Sequence, residues 1–234
     1  KPVDLPVLKS PLKGMIDKDG FLLFMHSPYI IEEEMILDKG AILFIEPGVT
    51  LRFNPGASIR IRNGGVDARG TPERLITFTS NSVSPTPGNY PAAVIFEAPT
   101  SVASCFHHSI FEFAQTGLEV AHGAPDLYGC AIRHNSQAGI RVANQAEPKI
   151  SFSSFFQNAG TGGLVVQGAA RPRLYRNNFF DNPFAIQSFS SIFIDARENW
   201  WGSDPPQESL FLGEINYKPW LKEPEGKAPQ GRKR

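Results

Sequence analysis

The chain has 234 residues and carries 23 basic and 23 acidic side chains, so its formal net charge is zero. A balanced charge argues against nucleic-acid binding, which normally requires a basic excess. Hydrophobic residues make up 41% of the chain, too many for a mostly disordered sequence. No run of 18 apolar residues is present, so no membrane-spanning helix is expected.

The two ends of the sequence differ in composition from the part between them. Residues 1–20 are rich in proline, lysine and aspartate, and we expect an irregular N-terminal segment there. Residues 222–234 have alanine as their only apolar residue type and end in Gly-Arg-Lys-Arg, which predicts a disordered basic tail. One structural domain is therefore expected over residues 21–221.

Short strands separated by regular turns are predicted in the first half. Residues 50–53 and 58–62 alternate apolar and polar side chains with period two, which is typical of strands. The turn signals Glu-Pro-Gly, Asn-Pro-Gly and Asn-Gly-Gly recur about every eight residues. Residues 82–91 contain three prolines and are predicted to form a loop.

The second half of the sequence contains an internal repeat. Five apolar anchors are spaced 22, 23, 24 and 21 residues apart, and a second apolar set follows the first four by seven to nine residues. Glycines precede three members of the second set. The anchors are Ile110, Ile132, Phe155, Phe179 and Trp200, and the second set is Leu118, Ile140, Leu164 and Ile186.

A period of 21–24 residues with short strands and Gly, Pro or Asn corners is typical of one coil of a parallel β-helix. Such a coil buries its apolar face only by stacking on its neighbours. Leucine-rich repeats share this period, but their consensus frame is missing here. The sequence therefore predicts an all-β fold, a single-stranded parallel β-helix. Asn135, Asn158 and Asn182 follow three anchors at the same offset and are expected to form an asparagine ladder.

Several segments also resemble a known group of proteins. ILDKGAILFIEPGVTLRF, SIRIRNGG and LITFTS, followed by NWWG at 199–202 and INYKPWL at 215–221, are similar to right-handed parallel β-helix proteins of the pectate-lyase-like superfamily. The resemblance covers residues 27–221 and implies a right-handed helix and a periplasmic or extracellular location. The superfamily contains lyases, hydrolases, epimerases, esterases and non-catalytic modules, so the fold alone does not give the function.

The catalytic motifs of the superfamily's enzymes are not found in this sequence. The acidic residues of the repeat region are scattered, with no carboxylate cluster for Ca²⁺ and no hydrolase or esterase motif set. We therefore favour a non-enzymatic module with a binding or scaffolding role in a cell-envelope or secreted assembly. Its partner would be a protein or a polysaccharide, and no cofactor or metal is expected. A polysaccharide-active enzyme and a periplasmic accessory protein for metal or cofactor delivery remain as alternatives.

Alignment of the coils on their anchors predicts a row of outward aromatic residues. It places Cys105 inward, in one column with Leu127, and places Phe106, Tyr128 and Tyr175 outward as candidate ligand-binding residues. Outward rings could stack on sugars or contact a partner. The alternative is that the loop at 82–104 or an adjoining chain covers them.

The same alignment predicts a second outward column that contains Glu112, His134 and Asp181. If the protein is an enzyme, these three residues are the catalytic candidates, because a histidine beside a carboxylate can transfer protons. An ordinary surface salt bridge is the alternative. A metal site formed with His107 or His108 is only weakly indicated.

The two cysteines are predicted to be free thiols. In the same alignment Cys105 and Cys130 are offset by three positions on adjacent coils, which separates their Cα atoms by about 11 Å, too far for a disulfide.

Overall fold

The structure is a computed structural model that describes residues 6–230. It is almost entirely β, and all pairs between its strands are parallel. The chain forms a β-solenoid of about nine turns, in which a complete coil crosses three faces in the order A, B, C. The predicted all-β, parallel β-helix fold is therefore confirmed.

Most strands belong to one of the three faces. Face A consists of β2 (Gly20–Leu22), β4 (Ile42–Ile45), β7 (Gly65–Arg69), β10 (Cys105–His107), β13 (Asp126–Tyr128), β16 (Lys149–Ser151) and β19 (Arg173–Tyr175). Face B consists of β5 (Thr50–Phe53), β8 (Ile76–Ser80), β11 (Ser109–Glu112), β14 (Ala131–Arg133), β17 (Ser154–Phe156) and β20 (Asn178–Phe180). Face C consists of β6 (Ile59–Ile61), β9 (Tyr90–Phe96), β12 (Ala114–Val120), β15 (Ala138–Val142), β18 (Gly162–Gly168), β21 (Ile186–Ser190) and β23 (Phe211–Leu212).

The remaining elements lie at the two ends of the helix. Strand β3 (Tyr29–Leu37) continues through faces B and C, and β1 (Leu12–Ile16) pairs with it in parallel. At the other end, β22 (Ile194–Asp195) pairs with β24 (Ile215–Asn216). Short 3₁₀ turns occupy Phe24–His26 and Glu208–Leu210.

Stacked apolar columns fill the interior. On face B the inward column contains aromatic rings, with Phe155 and Phe179 stacked at 4.5 Å between centroids and Phe179 and Trp201 at 4.9 Å. All three rings are buried. Burial of one such side chain contributes about 2–3 kcal/mol, so stacking of successive coils stabilises the fold.

Two polar ladders lie at the corners of the coils. The predicted ladder is present between faces B and C, where Asn135 Nδ2 donates to Asn158 Oδ1 at 2.9 Å and Asn158 Nδ2 donates to Asn182 Oδ1 at 3.2 Å. A second ladder lies between faces A and B, where Asn177 Nδ2 donates to Asn199 Oδ1 at 3.0 Å. Each ladder satisfies backbone groups that the turning chain leaves without strand partners.

Residues with a left-handed backbone conformation, at positive φ, allow the chain to turn at these two corners. The B–C corner has positive φ at Phe113, His134, Gln157 and Asp181, and the A–B corner at His108, Phe152, Arg176 and Glu198. Non-glycine residues rarely adopt this conformation, and here they recur in four successive coils at the B–C corner, whereas at the A–B corner Gly129 takes this place in one coil. Their side chains therefore leave the helix at the edges between faces.

The predicted register is wrong by one residue at the first repeat unit. Phe111, not Ile110, lies opposite Ile132, and Phe106, not Cys105, lies opposite Leu127. The coil of Ile132 has one more residue in its B–C corner than the preceding coil. Leu118 and Ile140 are still correctly paired on face C. If the residue spacing of this pair is used to align the two whole coils, the residues of faces A and B are out of register by one position. A shift of one residue exchanges inward and outward side chains. At the last anchor, Trp201 rather than Trp200 stacks on Phe179 inside the helix.

Both predicted chain ends also differ from the structure. The segment expected to be irregular contains β1, and the predicted disordered tail is ordered over residues 222–230, where Glu225 and Ala228 are buried. Residues 1–5 and 231–234 lie outside the described residues. The tail is ordered because it packs on the outer side of face B, through contacts that its composition does not reveal.

The two cysteines are free, as predicted, and both are buried. The offset between them is four positions and not three, because Cys105 lies opposite Asp126. The inward environment predicted for Cys105 is also wrong, because this residue lies in the outward column between Asp67 and Asp126. Cys130 lies at the A–B corner and its Sγ donates to the Phe106 carbonyl at 3.1 Å.

Candidate binding face

A row of aromatic and imidazole rings runs along the outer edge of face A. His107, Tyr128 and Tyr175 lie in one outward column, and each is the last residue of its face-A strand. Ser151 interrupts this column, but the neighbouring corner residue Phe152 fills the gap. Its ring centroid lies 5.4 Å from that of Tyr128 and 5.7 Å from that of Tyr175. We call these four residues the face-A row.

The structure corrects one of the three predicted ligand-binding residues. Phe106 is fully buried and packs edge-on against Phe111, so it cannot contact a ligand. The one-residue register shift is the reason, since His107 takes the outward position that the alignment assigned to Phe106. Tyr128 and Tyr175 do lie outward, as predicted, and Tyr175 is 47% exposed. Their role in binding stays a prediction.

A polar column runs parallel to the row on the same face. It contains Asp67, Cys105, Asp126, Lys149 and Arg173, one from each successive coil. Cys105 Sγ lies 3.1 Å from Asp67 Oδ1, and His107 Nε2 lies 3.5 Å from Asp126 Oδ2. Burial, followed by the neighbouring Asp67 carboxylate, raises the pKa of the Cys105 thiol to about 12. The thiol is therefore protonated at neutral pH and is not an activated nucleophile.

Two adjoining shallow clefts lie at the C-terminal end of this face. One has a volume of about 430 Å³ and is lined by Tyr175, Arg173 and Arg197 among others. The second has a volume of about 260 Å³, shares Arg173 with the first and is also lined by Phe193, which is 59% exposed. Together they place exposed rings and guanidinium groups on one surface. Rings can stack on flat apolar ligand surfaces, and guanidinium groups can donate hydrogen bonds to ligand oxygens.

The three catalytic candidates are not brought together. Glu112 lies opposite Arg133 and not opposite His134, so the predicted column is wrong, and Glu112 accepts hydrogen bonds from Arg133 Nε at 2.8 Å and from Thr79 Oγ1 at 3.1 Å. The ring of His134 instead stacks on Phe113, its counterpart at the B–C corner, at 5.5 Å. Asp181 belongs to a coil three steps away from that of Glu112, which corresponds to about 14 Å. Glu112 and Asp181 are therefore too far apart to belong to one site.

Acidic and imidazole groups lie close together on face A. Within residues 6–230, no group of three or more His, Cys, Asp or Glu side chains is placed to hold a metal ion. The acidic and imidazole groups of face A are therefore polar neighbours and not a preformed centre. Across the same residues, no helix has the length and apolar character needed to cross a membrane.

Sequence reasoning missed Phe152 and Phe193 on this surface. Phe152 follows a serine in the repeat and was not assigned to any column, since corner residues do not follow strand alternation. The available signal was a bulky residue two positions before the small residue that precedes an anchor, as at Phe152 and Arg176. Phe193 lies in a segment outside the four aligned columns, so the repeat contained no signal for it.

Comparisons with known proteins agree with the architecture. A family model described as a right handed beta helix region matches residues 93–200. The chain is also similar to the Protein bark beetle of Drosophila melanogaster, with 41% identity over 69 residues. That match covers 30% of this chain and only 2% of the length of the relative. No solved structure matches the chain.

Proposed function

We propose that this parallel β-helix chain is a non-enzymatic binding module that holds an extended carbohydrate chain along face A. The observation that supports this proposal most directly is the face-A row, which leads into the two C-terminal clefts. Rings spaced along a rigid solenoid offer a repeated stacking surface, and aromatic faces favour the apolar faces of sugars.

The spacing of the row suits a polymer better than a small molecule. Tyr128 and Tyr175 belong to coils two steps apart, which separates them by about 10 Å along the helix axis. Each cleft is open and shallow, whereas sites for small molecules usually enclose most of the ligand. An extended chain that contacts several coils gains from many weak contacts at once, and the stacked coils hold these contacts in a fixed geometry.

Polar side chains beside the row supply the directional contacts. Arg173 bonds to Glu147 at 3.2 Å, and Arg197 forms two bonds with Asp195. Lys149 and Arg171 are exposed and make no ion pair with any residue in the 6–230 range. Exposed donors of this kind can hydrogen-bond to sugar hydroxyl or carboxylate oxygens. They also suit a role in an envelope or secreted assembly, and we place the protein in the periplasm or outside the cell.

The proposal is tested by binding measurements on the full chain. Hexasaccharides of galacturonate, mannuronate and glucose are titrated by calorimetry, and reducing ends and unsaturated products are followed in parallel. We expect saturable binding of at least one hexasaccharide without turnover. Tyr175→Ala should weaken it about tenfold, the equivalent of one lost aromatic contact.

The matched control is Phe189→Ala. Phe189 is also an exposed ring, at 58%, but it belongs to face C and should leave binding unchanged. Turnover of any hexasaccharide would show that the module is an enzyme. Equal losses for Tyr175→Ala and Phe189→Ala, or no binding at all, would contradict a site on face A.

A further inference from the structure

The C-terminal segment packs on Asn178 of face B and reaches the face-A row at Phe152. Asn178 lies in β20 next to the inward Phe179 and therefore points outward, yet it is fully buried. Glu225 covers it: the Glu225 amide donates to Asn178 Oδ1 at 2.8 Å, and Asn178 Nδ2 donates to the Glu225 carbonyl at 3.2 Å. The segment is thus fixed by its main chain.

Side-chain contacts then set the orientation of the segment. Arg176 Nη1 lies 2.9 Å from Glu225 Oε2, and the Lys227 amide donates to Glu225 Oε1 at 3.1 Å. The Ala228 amide donates to the Glu225 carbonyl at 3.2 Å, which closes a turn, and the Ala228 side chain is buried. We call the contacts of Glu225 with Asn178 and Arg176 the clasp.

The clasp carries Lys227 onto the row. The Lys227 ammonium lies 5.5 Å from the centroid of Phe152, which is the ring between Tyr128 and Tyr175. This distance is within the range of a cation–π contact. Lys227 is exposed, so the donors of its ammonium that do not face the ring remain open to a ligand.

We propose that Lys227 is a ligand-binding residue of face A, held in place by the clasp. This inference rests on the proposed function, and it adds to the row a residue from a segment that lies far away in sequence. A chain that stacks on Tyr128 and Tyr175 passes over Phe152, where the ammonium can donate to its hydroxyl or carboxylate oxygens. Glu225 is then a positioning residue, since it acts only through Lys227.

The clasp also links the row to Arg176. The Arg176 guanidinium lies 5.8 Å from the centroid of Tyr175 while it pairs with Glu225. Release of the segment would therefore remove Lys227 from Phe152 and free Arg176 from its carboxylate partner. The charged groups that face Glu225 are Arg176 from the A–B corner and Lys227 from its own segment, and both favour its ionised form.

The test uses full-length variants and the same three hexasaccharides. Lys227→Ala should weaken binding about tenfold, because a hydrogen bond to a charged donor is lost, and Lys227→Arg should restore most of it. Glu225→Ala removes the side-chain contacts of the clasp but keeps its main-chain bonds to Asn178, so it should weaken binding by less, about threefold, although Glu225 touches no ligand. Lys222→Ala, which removes an exposed lysine of the same segment, should have no effect.

A second readout separates positioning from general damage. Hydroxyl-radical oxidation of Phe152 in the free protein should rise in Glu225→Ala and stay unchanged in Lys222→Ala. If Tyr175→Ala weakens binding and Lys227→Ala does not, the inference about Lys227 is wrong and the proposed function stands. If neither variant changes binding, or if no hexasaccharide binds, both are wrong.

Discussion

Faces A and B are built from the same repeat, but near the C-terminal end their outward side chains differ in exposure to solvent. On face A the outward rings of Tyr128 and Tyr175 remain partly exposed, whereas on face B the outward Asn178 and Phe156 are buried. The C-terminal segment accounts for this difference at Asn178. Because the inner columns of both faces are equally apolar, a coil pattern alone does not tell which face is open. The element that covers a face decides where a ligand can bind.

The largest expected effect on stability comes from the buried inner columns, in which the two faces do not differ. Leu127 on face A and Phe155 on face B are both fully buried. Leu127→Ala and Phe155→Ala should each lower the free energy of unfolding by about 3–5 kcal/mol, because each leaves a cavity in a close-packed column. Denaturant unfolding measures both. A much smaller loss for either variant would show that the corresponding column is not a packed core.

Substitutions at the outer surfaces should have smaller effects on stability, and these effects should differ between the two faces. Phe156 is buried and stacks on Phe180 at 4.9 Å, whereas Tyr175 is half exposed. Phe156→Ala should cost about 2–3 kcal/mol of stability, and Tyr175→Ala no more than about 0.5 kcal/mol. The same unfolding assay compares them. Equal losses at the two positions would mean that face A is covered as well.

These comparisons also show what the sequence could predict. The sequence predicts three features correctly: the period, the apolar column of face C and the asparagine ladder at Asn135, Asn158 and Asn182. Each of them depends only on the regular spacing of one kind of residue along the repeat. The outward rows could not be predicted, because a single extra residue in the corner after β14 shifts faces A and B by one position. That shift explains why Phe106 and the pair of Glu112 with His134 were wrong, while Tyr128 and Tyr175 lie outward as predicted.

The C-terminal segment was missed for a different reason. Its order depends on the contacts of Glu225 with Asn178 and Arg176, which are 47 and 49 residues away in sequence. Local composition contains no information on such contacts, and a Pro- and Lys-rich segment resembles a solvated tail. Ion pairs and buried side chains between distant segments become visible only in the structure.

The smallest expected effect concerns pH and the covering of face B. Burial raises the pKa of the Glu225 carboxyl, but bonds from the Lys227 amide and Arg176 outweigh it and hold this pKa below its ordinary value. A lowered pKa in the folded state means that the ionised carboxylate stabilises the docked segment above the ordinary Glu value of about 4.3. This contribution is lost as the pH falls through the lowered pKa.

Hydrogen exchange of the Glu225 amide reports on this contribution. The amide should be protected at pH 7, and its protection factor should fall as the pH drops through the lowered pKa of the carboxyl. Glu225→Gln should reduce protection at pH 7 by no more than about fivefold, since the ion pair is partly exposed and worth up to about 1 kcal/mol. The control is Glu223→Gln at an exposed position of the same segment, which should change nothing.

Near the C-terminal end face A is open while Phe156 and Asn178 of face B are buried, and hydroxyl-radical footprinting of one sample measures both surfaces. In the free protein, Tyr175 should be oxidised readily while Phe156 is protected, and a bound hexasaccharide should protect Tyr175 without changing Phe156. Oxidation of Phe156 as fast as that of Tyr175, or a bound hexasaccharide that leaves Tyr175 fully reactive, would contradict the account.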